Sequence, residues 1–313
     1  MKEHENVNTG RDLTGSRLKG SLIGESLTPT RMAMRGKLLD AMSGLVEVAR
    51  DRDVIVSPEV GPYGTSVGRL TELGYQAWNS NRVSNQDAFA LNPMARRFSV
   101  ADGMGGYGAD KTGTAFMARF VAAYAAEVGI ADFKDPTKLP EVYRKAQSGF
   151  RHVSGREFEM PRLKGSGIGT VGTTLSYAEV LDATHVRIMA IGDSPIFVLD
   201  EELAPIAQYG EDSQSGRFDQ PLAFKLGIDA GGAPLIPQFD AKAPDGRSIV
   251  DMTLEIPPNQ YLALATDYFS EQNASRHIGE LSGSTASAYD KHVSSYGKSD
   301  DATLIIIKPS ALF

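Results

Sequence analysis

Apolar residues alternate or run together in short blocks over most of the chain. Runs of four to eight residues read as strands at Asp87 to Leu91, Arg97 to Ala101, Thr173 to Val180 and His185 to Ile191. The same pattern returns at Ile196 to Leu199, Asp251 to Ile256, Tyr261 to Ala265 and Thr303 to Lys308. Two segments change to helical spacing. Asp110 to Val128 sets Phe116, Phe120, Ala123 and Tyr124 on one side, and Leu139 to Val153 does so with Val142, Ala146, Phe150 and Val153. A shorter helix is expected from Thr285 to Ser295. Strands joined as hairpins, with helices in sequential pairs, predict an antiparallel α+β layering and not a repeating βαβ series.

The first 74 residues differ. The start, to about residue 28, is polar and reads as disordered. One amphipathic helix is expected at about 31–52, and Ser57 to Gly68, rich in Gly, Pro and Ser, reads as a linker. The expected division is therefore an N-terminal extension over 1–74 and a globular domain over 75–313. Lone Trp78 is assigned to packing on the first strand of that domain.

The chemistry implied by the pattern lies at strand ends. The run ending Val100-Ala101 closes on Asp102, and Gly103-Met104-Gly105-Gly106 follows at once. An aspartate at a strand end is held rigidly, and a neighbouring glycine lets a backbone carbonyl turn toward the same cation. Asp267 closes the run from Tyr261, Asp300-Asp301 opens the last strand, and Asp193 sits in a turn between two strands. Each alone is most simply a turn aspartate bonded to its own backbone. Brought side by side, the four carboxylates of Asp102, Asp193, Asp267 and Asp300 repel one another unless cations lie between them.

Composition narrows the choice of cation and of function. The 313 residues carry no cysteine and five histidines, none of them spaced i, i+4, which excludes disulfides, thiolate zinc and a cysteine nucleophile. Oxygen ligands suit magnesium or manganese. A net charge of −7 argues against a nucleic-acid partner. Residues 116–131, the longest greasy stretch, are broken by Arg119 and Glu127 and are too short for a membrane span. With no signal-like start, a cytoplasmic location is expected. Gly167 to Gly172 matches GxGxxG, but a strand-like Thr173-Thr174-Leu175 follows where a dinucleotide site needs a helix. His152, His277 and His292 are read as filler.

Several motifs in order resemble the metal-dependent protein phosphatase 2C (PPM) family, in its bacterial form, from Arg82 to Lys308. They are Arg82-Val83-Ser84-Asn85-Gln86-Asp87, Asp102 to Gly106, Gly172-Thr173-Thr174, Gly192-Asp193-Ser194, Ala265-Thr266-Asp267 and Asp300-Asp301-Ala302-Thr303. The resemblance implies a four-layer α-β-β-α sandwich with two central antiparallel sheets. It implies a serine/threonine phosphatase that hydrolyses phosphomonoesters with a metal-activated water, on a phosphoprotein partner such as a kinase or its target. Two Mn2+ or Mg2+ ions are implied. Asp102 would bridge them with the Gly103 carbonyl on one, Asp267 and Asp300 would complete the set, and Asp87 would act through water. Asp193 would help hold a third ion and Arg82 would grip the phosphate. Asp301 is the substitute to test should Asp300 prove silent.

The chain departs from the family at Gln86, Met104, Pro195 and Tyr268. Tyr268 stands where glycine is usual, so its ring either narrows the pocket or bends away. It is the lesion on which an alternative rests, a phosphatase-fold module that binds a phosphoprotein without hydrolysis. An unrelated oxygen-ligand metalloenzyme is the third reading. The polar segment Gln208 to Arg247 is either a flap beside the site or a solvent loop.

Overall fold

The computed structural model describes residues 54–57, 65–80, 85–104, 111–155, 157–158, 171–210, 225–229, 233–237, 239, 249–269, 278–295 and 301–313. The helix expected at 31–52, and with it Arg82 and Asp300, lies outside the described residues.

Along the chain come β1 (Ile55–Val56), β2 (Thr65–Arg69), α1 (Leu70–Leu73), β3 (Tyr75–Asn79), β4 (Ala88–Asn92) and β5 (Arg97–Ala101). Next are α2 (Lys111–Val128), α3 (Ala131–Lys134), α4 (Leu139–Ser154), β6 (Val171–Thr173), β7 (Leu175–Val180) and β8 (His185–Ile191). β9 (Ile196–Leu199), β10 (Pro205–Tyr209), β11 (Leu226–Ile228), β12 (Pro234–Leu235) and β13 (Val250–Glu255) follow. The chain closes with β14 (Tyr261–Ala265), α5 (Ile278–Leu281), α6 (Ala286–Ser295) and β15 (Thr303–Ile307).

Two six-stranded antiparallel sheets form, in the orders β1-β4-β5-β7-β8-β13 and β10-β9-β14-β15-β3-β2. Phe89, Phe98, Val100, Ile188 and Ala190 of the first meet Ala77, Val198, Leu262, Leu264 and Ile305 of the second in a shared apolar layer. The reverse face of the first sheet receives α2 through small residues, Ala88, Ala90 and Ala101 against Ala118, Ala122 and Ala126. Phe116, Phe120 and Tyr124 of α2 pack with Val142, Ala146 and Phe150 of α4. The reverse face of the second sheet carries Trp78, Phe197, Leu304 and Ile306 under α5 and α6, with Trp78 stacked on Tyr289 at 5.9 Å. The result is the α-β-β-α sandwich, and central strands buried on both faces explain the unbroken apolar runs.

Residues on the N-terminal side of the division expected near 74 take part in this sandwich. Ile55 and Val56 pair with Leu91 and Ala90, and Thr65 to Arg69 pair with β3. The stretch read as a linker to Gly68 thus ends in an edge strand. Part of the 208–247 segment is ordered too: β11 and β12 pair with β6 in a three-stranded sheet. Tyr143 of α4 pins it, its hydroxyl accepting the Gly227 N–H at 2.8 Å. Among the described residues no helix is long and apolar enough to cross a membrane.

Candidate active site

Register places the acids together. Ala101 pairs with Ala88, Leu175 with Ile191, Leu304 with Ala265 and Thr303 with Asn79, so the strand ends that carry Asp87, Asp102, Asp193, Asp267 and Asp301 share one end of the sandwich.

Asp102 leaves β5 held by its backbone. Its N–H donates to Thr174 Oγ1 at 3.0 Å, and its carbonyl accepts the Thr174 N–H at 2.9 Å and the Thr173 hydroxyl at 2.7 Å. These bonds leave the Asp102 carboxylate to project from a fixed main chain. A Cβ on Gly103 would lie 2.8 Å from the Gln86 carbonyl oxygen and 2.9 Å from that of Thr114, so only glycine fits this turn. The Gly-Thr-Thr motif is therefore the buttress of Asp102, a role its sequence did not disclose. Thr174 also bonds Ser194 at 2.6 Å, hydroxyl to hydroxyl, which ties the Asp193 turn to the same support.

Asp87 is the most constrained acid. Asn85 Oδ1 accepts its N–H at 2.8 Å, and Asn79 Nδ2 donates to its carbonyl at 3.3 Å. The residue is 1% exposed, and among the described residues Oδ2 has no hydrogen-bond partner. Burial raises its carboxyl well above the usual carboxylate range, and the charges of Asp301 and Asp267 raise it further. The Thr266 hydroxyl and the Asp102 side chain pull partly back. Four acids from four separate strand ends therefore interact at one place.

Asp301 enters this set in its own right. Its Oδ2 accepts the Gln86 N–H at 2.7 Å. Ser80 and Ala302 exchange bonds that fix the approach to β15, and Thr266 and Thr303 do the same beside Asp267. Spacing alone could not choose between the adjacent Asp300 and Asp301.

The donor chemistry fits a hard divalent cation: carboxylate oxygens, one of them buried and unpartnered, crowded until they repel. As they stand, no three His, Cys, Asp or Glu side chains among the described residues are arranged to hold an ion.

Tyr268 follows Asp267 in a short 3₁₀ turn and points away from the acids. Its ring is 3% exposed and belongs to the apolar layer under α5 and α6, with its hydroxyl donating to the Val293 carbonyl at 3.3 Å. The ring therefore bends away toward α6, one of its two expected placements.

No family model matches the chain, and no curated protein matches it. Solved structures do. The staphylococcal serine/threonine phosphatase Stp1 (Staphylococcus aureus) is 18% identical, with 77% of this chain and 98% of that one covered at a TM-score of 0.45. The catalytic domain of the serine/threonine protein phosphatase PstP, in complex with two manganese ions, is 19% identical over 75% and 96% at 0.43. PppA, a regulatory component of the type VI secretion system of Pseudomonas aeruginosa, is 17% identical over 78% and 99% at 0.43. The chain is thus similar to bacterial PPM-type phosphatases. At these scores the similarity decides nothing about activity, which rests on the chain's own residues.

Proposed function

We propose that this protein is a metal-dependent protein serine/threonine phosphatase. The observation that supports it is the buried Asp87 carboxyl, with an unpartnered oxygen, facing Asp301, Asp267 and Asp102. Acids gathered this closely repel one another, and a bound cation would relieve that repulsion.

Asp102 with the Gly103 carbonyl, Asp267 and Asp300 would hold two Mn2+ or Mg2+ ions, Asp87 would act through water, and Asp193 would serve a third. When bound, such ions supply Lewis acidity and a nucleophile at neutral pH. The chain's own part is positional. Thr173 and Thr174 fix Asp102, and Asn79 and Asn85 fix the backbone of Asp87. Arg82 would orient the substrate phosphate with its guanidinium fork. The substrate is a phosphoserine or phosphothreonine protein, such as a kinase or its target.

The test is manganese-titrated dephosphorylation of a phosphothreonine peptide beside a phosphotyrosine one. We expect phosphate release from the phosphothreonine peptide, stopped by a chelator. Asp102→Ala should lower kcat/KM by roughly a thousandfold or more. No release with any divalent metal, or an Asp102→Ala variant as active as the natural chain, would overturn the proposal.

A further inference from the structure

Gln86, one residue before Asp87, is held at three points by three different segments. Its N–H donates to Asp301 Oδ2 at 2.7 Å. Its carbonyl accepts the Gly103 N–H at 3.2 Å. Its side-chain Oε1 accepts the Thr114 hydroxyl of α2 at 2.9 Å. The contacts close on Gly103 from both sides, because the space a Gly103 Cβ would need is bounded by the carbonyls of Gln86 and Thr114.

We infer that Gln86, anchored by the Thr114 hydroxyl, is the positioning residue that sets Asp87 and the Gly103 backbone relative to each other. The inference rests on the metal-dependent reading above. Gln86 need not touch an ion. Its peptide unit and its amide link the last strand, the Asp102 turn and the helix behind them, so a shift of the amide moves two of the groups assigned to the cations. Removing the Thr114 bond takes away the side-chain anchor of Gln86 and leaves its Asp301 and Gly103 bonds to hold it. Anchors of this outer kind, when lost, weaken metal binding by about 10- to 100-fold. The link also gives the Gln86 side chain a use of its own, and either an amide or a carboxylate oxygen can accept the Thr114 hydroxyl.

Manganese titration calorimetry on the full chain tests this, with thermal unfolding of each metal-free variant beside it. Gln86→Leu and Thr114→Val should each weaken manganese binding about tenfold, the double variant no more than either one. Thr114→Ser and Gln86→Glu, which keep the hydroxyl and its acceptor, should bind at least as tightly as the natural chain. Unfolding midpoints close to that of the natural chain separate positioning from general damage, and two independent truncations guard against one failing to fold. Equal affinity in all variants overturns the inference alone. Equal loss in Gln86→Leu and Gln86→Glu also overturns it, since the shared acceptor would then be irrelevant. Failure of the natural chain to bind manganese removes the metal-dependent reading, and this inference falls with it.

Discussion

Where β7 turns into β8, Asp182 accepts the N–H groups of Thr184 and His185, both at 2.8 Å, and where β9 turns into β10, Asp200 accepts those of Glu202 and Ala204 at 3.0 and 2.8 Å. Asp182 is exposed and Asp200 half-buried, and both are satisfied by their own turn. At the opposite end Asp87 is buried, leaves one oxygen unpartnered and feels acids from two other strand ends and the Asp102 turn. The two ends use one residue type in contrary ways, and the carboxyl shifts follow. The Asp182 carboxyl is held down to about 2, first by the Thr184 backbone N–H and then by His185, whereas that of Asp87 is driven up by burial. A turn aspartate that serves the fold finds its donors within a few residues. One gathered for chemistry is supported through its backbone and leaves its carboxyl in the company of other acids.

Among the variants that set the two ends against each other, the largest effect should come from Gly103→Ala. Its new methyl would meet two backbone carbonyls at 2.8 and 2.9 Å, and neither can retreat without moving the Asp87 segment or α2. We expect a stability loss of about 1–3 kcal/mol by overpacking and about a hundredfold loss of hydrolysis by misplacement of the turn. Urea unfolding and phosphopeptide kinetics measure the two. Activity unchanged in a folded variant would show that the turn is looser than its contacts indicate.

Asp87→Asn comes next, and its two effects have opposite signs. Replacing a carboxyl buried among Asp301, Asp267 and Asp102 with a neutral amide should stabilise the metal-free chain at neutral pH. The same change should weaken manganese binding. Denaturant unfolding with chelator present checks the first and calorimetry the second. A destabilised metal-free variant would mean that the acids do not oppose one another, and the contrast between the two ends would fail.

What the sequence disclosed follows the same division. The strands of the middle of each sheet were legible because both faces are buried: Arg97–Ala101, His185–Ile191, Ile196–Leu199 and Tyr261–Ala265 form where the apolar runs predicted them. The edges were not. In β2 only Val67 is a buried apolar residue, and Gly68 adopts a positive φ of 81° against Tyr75, so Thr65 to Arg69 resembles a linker in composition. The acids at strand ends were visible as a set, yet their partners were not. Nothing in the spacing says that Thr174 holds Asp102, that Asp301 holds the Gln86 backbone, or that Tyr268 turns toward α6, because each depends on which side of a short turn a neighbouring strand arrives.

The smallest effect, and the sharpest control, is Asp182→Ala. The turn loses an acceptor for two backbone N–H groups and the Thr184 hydroxyl, so the unfolding midpoint should fall slightly at pH 7 while manganese binding and hydrolysis stay as they were. The pH dependence fixes the cause. A carboxyl whose folded value is depressed to about 2 contributes in full above its ordinary value of about 3.9, and that contribution disappears as pH falls through the folded value. The difference in midpoint between the natural chain and Asp182→Ala should therefore be largest at neutral pH and close on approach to pH about 2. A difference that persists there would assign the turn's stability to the loop conformation and not to the charge. A drop in hydrolysis would show that the far turn does reach the acid cluster, and that the two ends do not act independently.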